Sequence, residues 1–256
     1  CPGIDPSPAA LAQWGLEDSA DGARQFALRY LDALGEQVAV MKPNVAFFEQ
    51  HGAPGVAALE SFLAAARDSA VLTIVDAKRG DIASTAAAYA RAWLGEESAL
   101  RADAVTVSPY LGAAALAPFY ETADAHGRGV FVVVRSSNPE GRGVQQSRTA
   151  DGRALEEALL DEVANRPGTV GAVIGLIAGA EPLGLPDQGF YLAPGLESQG
   201  AGLGDLAAQF AGIASSRVVV NLSRSLASAG PDPQALREAA ARAQARIESG
   251  LRPASG

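Results

Sequence analysis

Eight short apolar runs, separated by longer alanine-rich stretches, constrain the fold of this chain more than any other feature. The runs cover residues 1–5, 37–42, 71–78, 104–108, 129–134, 171–176, 189–193 and 218–222. Nearly all-apolar runs of this length are typical of parallel strands buried on both faces. Because helical patterns separate most of them, the alternation predicts an α/β fold, a single (β/α)8 TIM barrel.

The predicted helices cover residues 21–34, 54–66, 84–93, 113–123, 152–164, 204–213 and 233–249, with at most a short helix in 179–187. No composition shift marks a domain boundary, so we expect residues 1–256 to form one barrel domain. Its first strand is expected to be truncated at the N-terminus, because the chain opens at Cys1. The polar stretch 136–150 follows the fifth strand and is expected to be either a lid over the catalytic face or a solvated loop.

The composition narrows the possible functions. A net charge of −9 argues against a nucleic-acid surface or an anionic membrane surface. The apolar runs are far shorter than the roughly 20 residues of a membrane span. A single cysteine and two histidines leave little material for a disulfide or a cysteine- or histidine-based metal site, and this usage fits a reducing cytoplasm.

An acidic and a basic residue end the third apolar run. Asp76 and Lys78 are two positions apart, so their side chains point the same way, which in a barrel is inward at the mouth. Lys42 and Asp5 close the second and first runs in the same manner. Each could be structural, as a strand-end ion pair, a solvated lysine or a turn aspartate, but together they predict a charged cluster at one end of the barrel.

The segment after the seventh run is rich in glycine and leads into a helix. Gly195 and the glycines that follow it allow backbone N–H groups to approach an anion, and a helix N-terminus adds a favourable dipole. Arg224 and Ser225 follow the eighth run, and the loops after strands seven and eight are the usual phosphate site of a TIM barrel. The alternative is an ordinary turn.

These motifs resemble the orotidine 5′-phosphate decarboxylases, and more closely their longer bacterial (type 2) branch. The resemblance runs in order through Gly3-Ile-Asp-Pro, Lys42-Pro-Asn, Asp76-Ala-Lys-Arg-Gly-Asp-Ile, Ser136-Ser-Asn-Pro, Pro194-Gly and Arg224-Ser. It implies decarboxylation of orotidine 5′-phosphate to uridine 5′-phosphate (UMP), the last step of de novo pyrimidine synthesis, with neither a metal nor an organic cofactor.

The resemblance also implies roles for individual residues. The catalytic array would be Lys42, Asp76, Lys78 and Asp81; the substrate would be bound by Asp5 at the ribose, Ser137 and Asn138 near the pyrimidine, and Gly195, Gln199, Arg224 and Ser225 at the phosphate. The family is a homodimer in which Asp81 and Thr85 act in the neighbour's site. Ser223 stands where the family pattern has glycine, so the sequence departs from the family at the loop that carries Arg224.

Other functions remain open at this point. Keto-gulonate phosphate decarboxylases and hexulose phosphate synthases share the Asp-x-Lys-x-x-Asp spacing but act on sugar phosphates with magnesium. A Schiff-base aldolase would use Lys78 as an amine, which the flanking Asp76 and Asp81 oppose by favouring the ammonium form. A catalytically silent barrel that only binds a nucleotide would require the charged array to be structural.

Overall fold

A computed structural model describes residues 1–166, 170–197 and 200–251 of the chain. Eight parallel strands pair in chain order, each with the next. They are β1 (Gly3–Ile4), β2 (Val40–Pro43), β3 (Leu72–Arg79), β4 (Ala104–Val107), β5 (Gly129–Arg135), β6 (Val170–Ile174), β7 (Tyr191–Ala193) and β8 (Val218–Val220).

The sheet closes between its last and first strands. The backbone N–H of Leu222 donates to the carbonyl of Cys1 (3.0 Å), and that of Gly3 donates to the carbonyl of Leu222 (2.7 Å). Each of the eight predicted runs overlaps one strand, to within one residue at the ends where a strand extends beyond its run, so the predicted (β/α)8 fold is confirmed. Strand β1 is two residues long.

Helices surround the sheet. They are α1 (Pro8–Gln13), α2 (Ala20–Leu34), α3 (Ala46–Glu49), α4 (Gly52–Asp68), α5 (Ala83–Leu94), α6 (Ala117–His126), α7 (Arg142–Gln145), α8 (Leu155–Ala164), α9 (Leu203–Gln209), α10 (Arg224–Ala227) and α11 (Pro233–Leu251). All seven predicted helices are present. The four that the sequence did not predict, α1, α3, α7 and α10, have four to six residues, too few to show a helical period.

Local chemistry explains where two helices begin. Helix α2 starts after Ser19, whose hydroxyl accepts from the N–H of Gly22 (3.1 Å). Helix α8 starts at Leu155 and not at residue 152, because Gly152 is left-handed (φ 85°) and belongs to a turn. No helix among the described residues is long and apolar enough to cross a bilayer.

Apolar side chains fill the molecule in two layers. The larger layer lies between the sheet and the helices and includes Phe26, Phe62 and Phe119, all fully buried. The smaller layer lies inside the barrel and comprises Ile74, Ala104, Val173 and Leu192, with Val40, Phe131, Val133 and Val219 packed against them. Because this inner layer plugs the barrel, polar residues at the C-terminal strand ends are left to line an open mouth.

The stretch 136–150 is more ordered than an irregular loop. It contains a 3₁₀ turn (Pro139–Gly141) and helix α7. The Gln145 side-chain amide donates to the Ser136 hydroxyl (2.7 Å) and accepts from the Ser136 N–H (3.2 Å), which folds the segment back on its own start. These contacts hold the segment beside the mouth of the barrel.

Candidate active site

A cavity of about 640 Å³ opens at the C-terminal end of the barrel strands, a size typical of small-molecule sites. Val133, Val173 and Leu192 from the inner apolar layer form its floor. Nine of the twelve predicted site residues line it: Asp5, Lys42, Asp76, Lys78, Ser137, Asn138, Gly195, Arg224 and Ser225. The fold therefore gathers residues from loops up to 220 positions apart in sequence into one site.

Asp76 is the centre of the charged cluster. Its Oδ2 accepts from the Nζ of Lys42 at 2.6 Å, and its Oδ1 accepts from the Nζ of Lys78 and from the hydroxyl of Thr106 (3.1 Å). Strand order explains why these residues are neighbours, because Asp76 and Lys78 lie in the C-terminal half of β3 and Lys42 is the penultimate residue of the adjacent β2. One carboxylate thus fixes two ammonium groups.

The two lysines differ in exposure. Lys42 is buried, with 4% of its side chain accessible, whereas 56% of the Lys78 side chain faces the cavity and solvent. Burial would raise the pKa of Asp76, but the charges of Lys42 and Lys78 outweigh burial and hold that pKa well below its ordinary value. Asp76 is therefore an anion at neutral pH, and Lys78 is the accessible ammonium of the pair.

Asp5 follows β1, which pairs with one edge of β2, whereas β3 and its Asp76 pair with the other edge. Burial raises the pKa of Asp5, and the nearby charge of Lys42 and a hydrogen bond from Ser223 only partly oppose that effect. Its buried Oδ1 atom has no hydrogen-bond partner among the described residues. A buried carboxylate oxygen without a partner can accept a hydrogen bond from a ligand hydroxyl group.

Ser223, the departure from the family pattern, fits the site. Its hydroxyl lies where a side chain on Gly3 would have to go, 1.9 Å from the position of such a Cβ atom. Gly3 therefore makes room for Ser223, and Ser223 uses that room to reach Asp5. The loop keeps Arg224 and Ser225 at the cavity wall.

Two glycines allow the loops after β5, β6 and β7 to meet at Ser137. A Cβ atom on Gly175 would lie 2.3 Å from the Ser137 nitrogen, and one on Gly195, which is left-handed (φ 102°), would lie 2.8 Å from the Ser137 Cβ. Asn138, next in the chain, donates to the Glu140 carboxylate at 2.9 Å. This close packing brings Ser137 and Gly195 to the same end of the cavity.

Three predicted site residues are not among those lining the cavity. Asp81 and Thr85 lie beyond the end of β3, outside the cavity of their own chain, and Thr85 is exposed. Gln199 lies outside the described residues. Among the described residues, no group of three or more His, Cys, Asp or Glu side chains could hold a metal ion.

The sequence reasoning missed Thr106 as a site residue. The signal was present, because Thr106 is the one polar residue in the run Ala104-Val-Thr-Val107. Threonine is common in strands, however, and the predicted strand order does not by itself show that the Thr106 hydroxyl reaches Asp76. That contact depends on the register of β3 against β4, which shifts between Val75 and Arg79.

Comparison with known proteins identifies a family for this chain. The model of the orotidine 5′-phosphate decarboxylase / HUMPS family matches residues 1–239. Orotidine 5′-phosphate decarboxylases from Salinispora tropica and Myxococcus xanthus are 48% and 46% identical, over 98% and 93% of this chain and 92% and 86% of theirs.

A solved structure is similar over the same extent. A crystal structure from Streptomyces avermitilis, provisionally described as an orotidine 5′-phosphate decarboxylase, superimposes with a TM-score of 0.91 at 44% identity, covering 98% of this chain and 90% of that one. The match is nearly end to end. The chain belongs to the orotidine 5′-phosphate decarboxylase / HUMPS family.

Proposed function

We propose that this chain decarboxylates orotidine 5′-phosphate to UMP and CO₂, the last step of pyrimidine nucleotide synthesis, without a metal or an organic cofactor. The observation that carries the proposal is the Lys42–Asp76–Lys78 array at the mouth of the barrel. The relatives named as this decarboxylase, at up to 48% identity, support this substrate over the sugar phosphates of other family members.

The reaction breaks the bond between C6 of the pyrimidine and its carboxylate, CO₂ leaves, and the electron pair stays on C6. The Lys78 ammonium stabilises that charge and then gives its proton to C6, which yields UMP; Lys78 regains a proton from solvent. Asp76 would face the substrate carboxylate while it orients Lys78 and Lys42. The two carboxylates repel each other, and this repulsion is relieved along the reaction because the substrate carboxylate is lost as CO₂.

The rest of the cavity would bind the nucleotide. Asp5, with its unpartnered Oδ1, and Lys42 suit the ribose hydroxyls, and Ser137 and Asn138 suit the pyrimidine.

The phosphate would be bound by Arg224, Ser225 and the backbone of Gly195, at the loops after β7 and β8. By family resemblance Gln199 would join them. Phosphate binding would close the stretch 136–150 over the site.

We also propose that the enzyme is a homodimer in which Asp81 and Thr85 complete the partner's site. Both residues lie outside the cavity of their own chain. Ile82, next to Asp81, is exposed (59% accessible), and so are Tyr110 (82%) and Leu111 (55%), which follow the Ser108 backbone that packs against Gly80. Such an apolar surface is typical of an interface with another protein chain.

We further propose that the chain acts as one barrel domain in the cytoplasm and binds neither nucleic acid nor membrane.

The test follows the ultraviolet absorbance of orotidine 5′-phosphate after addition of the protein in EDTA, with Lys78→Ala as the matched variant. We expect substrate absorbance to fall with the wild type and not with Lys78→Ala. A folded wild-type protein that leaves the absorbance unchanged would contradict the proposal. Activity on a pentulose or keto-gulonate phosphate that requires magnesium would then assign the chain to the other branch of the family.

A further inference from the structure

The backbone at Lys78 departs from regular strand geometry. Strands β3 and β4 pair Val75 with Val105 and then Arg79 with Val107, so β3 uses four residues where β4 uses two. Within this bulge Lys78 is left-handed (φ 45°), a region that non-glycine residues rarely adopt because of the Cβ atom. The bulge therefore sets the direction in which the Lys78 side chain leaves the strand.

The backbone of Lys78 is also bonded to a side chain of the neighbouring strand. Its N–H donates to the hydroxyl of Thr106 at 3.0 Å. Backbone conformations of this kind persist only where the surrounding structure holds them. Thr106, which is 1% accessible on β4, provides that support.

The same hydroxyl has a second contact. A hydroxyl has one donor and two acceptor positions, and Thr106 uses both kinds: it accepts from the Lys78 N–H and donates to Asp76 Oδ1 at 3.1 Å. Asp76 Oδ1 in turn accepts from the Lys78 ammonium. One buried hydroxyl is thus bonded both to the backbone beneath the lysine and to the carboxylate that pairs with its side chain.

We propose that Thr106 is a positioning residue of the reaction, which holds the strained Lys78 backbone and the Asp76 carboxylate in register so that the ammonium reaches the substrate carbon. This inference rests on the proposed function, because it assigns Lys78 the proton transfer. Thr106 acts through Lys78 and Asp76 and supplies no proton to the substrate.

The chain contains a matched control for this inference. Thr73, on β3, is equally buried (1% accessible), and its hydroxyl donates to the Asp103 carboxylate at 3.1 Å. It lies near the N-terminal end of β3, away from the cavity. Removal of the Thr73 hydroxyl therefore tests what the loss of a buried strand hydroxyl does to folding alone.

The experiment compares Thr106→Val, Thr106→Ser and Thr73→Val for kcat, KM and thermal stability. For Thr106→Val we expect kcat to fall by about 10- to 100-fold, the usual effect of a small misplacement of a reacting group, with KM changed less than kcat. Thr106→Ser should recover most of kcat, and Thr73→Val should lose stability but keep kcat. Thr106→Ala replaces Thr106→Val if the latter does not fold.

A crystal structure of the hydroxyl-deficient Thr106 variant separates this inference from the proposed function, since it needs no turnover. We expect Lys78 to leave the left-handed region or its ammonium to leave Asp76. The inference is wrong if Lys78 keeps its conformation and its ion pair, if kcat stays within twofold of an active wild type, or if Thr106→Ser is as slow as Thr106→Val. An inactive wild type would instead count against the decarboxylase function.

Discussion

The Nζ atom of Lys42 lies 2.6 Å from Oδ2 of Asp76, and the lysine side chain is only 4% accessible. This ammonium is largely removed from water, and Asp76 is the carboxylate that hydrogen-bonds it. Removal of one partner of a buried ion pair leaves the other uncompensated, which typically costs about 3 kcal/mol or more. The catalytic array and the stability of the barrel therefore share one carboxylate.

Asp76→Asn should accordingly lower both stability and activity. We expect the free energy of unfolding to fall by about 3 kcal/mol and kcat by at least about 100-fold. Denaturant unfolding and the absorbance assay measure the two effects. The control is Asp68→Asn, at the exposed end of α4, which should change stability by less than about 0.5 kcal/mol. Equal stability losses in the two variants would contradict the shared role of Asp76.

Asp5→Asn should have the opposite effect on stability. Burial raises the pKa of Asp5 above its ordinary value of 3.8, so the folded chain binds this proton more readily than the unfolded chain. Ionisation of Asp5 therefore lowers stability as the pH rises through the interval between 3.8 and the raised folded value. We expect the variant to melt at a higher temperature at pH 7, and this gain to vanish below pH 3.8.

The same variant should lose activity, because an amide replaces the anionic acceptor that we assign to the ribose. The loss of a hydrogen bond to a charged group predicts a fall in kcat/KM of about 10- to 100-fold. Asp32→Asn, on the exposed face of α2, is the control and should match the wild type in both measurements. An Asp5→Asn variant that is less stable than the wild type at pH 7 would refute this account of Asp5.

The sequence predicted the barrel and most of the site because both follow from short-range patterns. Apolar runs locate the strands and place Asp76 and Lys78 near the C-terminal end of β3, but the direction of the Lys78 side chain also depends on the bulge in that strand. Thr106 and the orphaned Oδ1 of Asp5 could not be predicted in this way. Their roles depend on the bulge between β3 and β4 and on the packing of Ser223 against Gly3, which arise from contacts between distant segments.

The dimer proposal predicts that two inactive variants restore each other's activity. Lys78→Ala removes the proton donor, and Asp81→Asn removes the residue assigned to the partner's site. In a mixed dimer one site would carry both changes and the other would be intact. Random pairing of equal amounts should therefore recover about a quarter of the wild-type activity, as expected for a two-fold symmetric dimer.

The control for this complementation is a mixture of Lys78→Ala with Asp76→Asn. Both of these residues belong to one chain's cavity, so every site in every pairing contains at least one defect, and no activity should return. Activity is measured after the subunits have been unfolded and refolded together. If the Lys78→Ala and Asp81→Asn mixture stays as inactive as this control, Asp81 does not act across the interface.

The last prediction concerns Arg135, the residue immediately before Ser136. Its guanidinium forms two hydrogen bonds of 2.8 Å with the Glu156 carboxylate of α8, and both side chains are 6% accessible. It also donates to the Glu181 carbonyl (3.0 Å) and to the Gln209 side chain (3.2 Å). Arg135 therefore ties the start of the stretch 136–150 to α8, α9 and the β6–β7 connection.

Glu156→Gln should weaken this anchor by leaving a buried guanidinium without its counter-charge. We expect a loss of about 3 kcal/mol in the free energy of unfolding. We also expect KM to rise, because Ser137 is only two residues from Arg135 and would move when Arg135 moves. Glu162→Gln, on the exposed face of the same helix, is the matched control and should leave both quantities unchanged. If Glu156→Gln lowers stability while KM stays at the wild-type value, the pair supports the fold but does not position the pyrimidine contact.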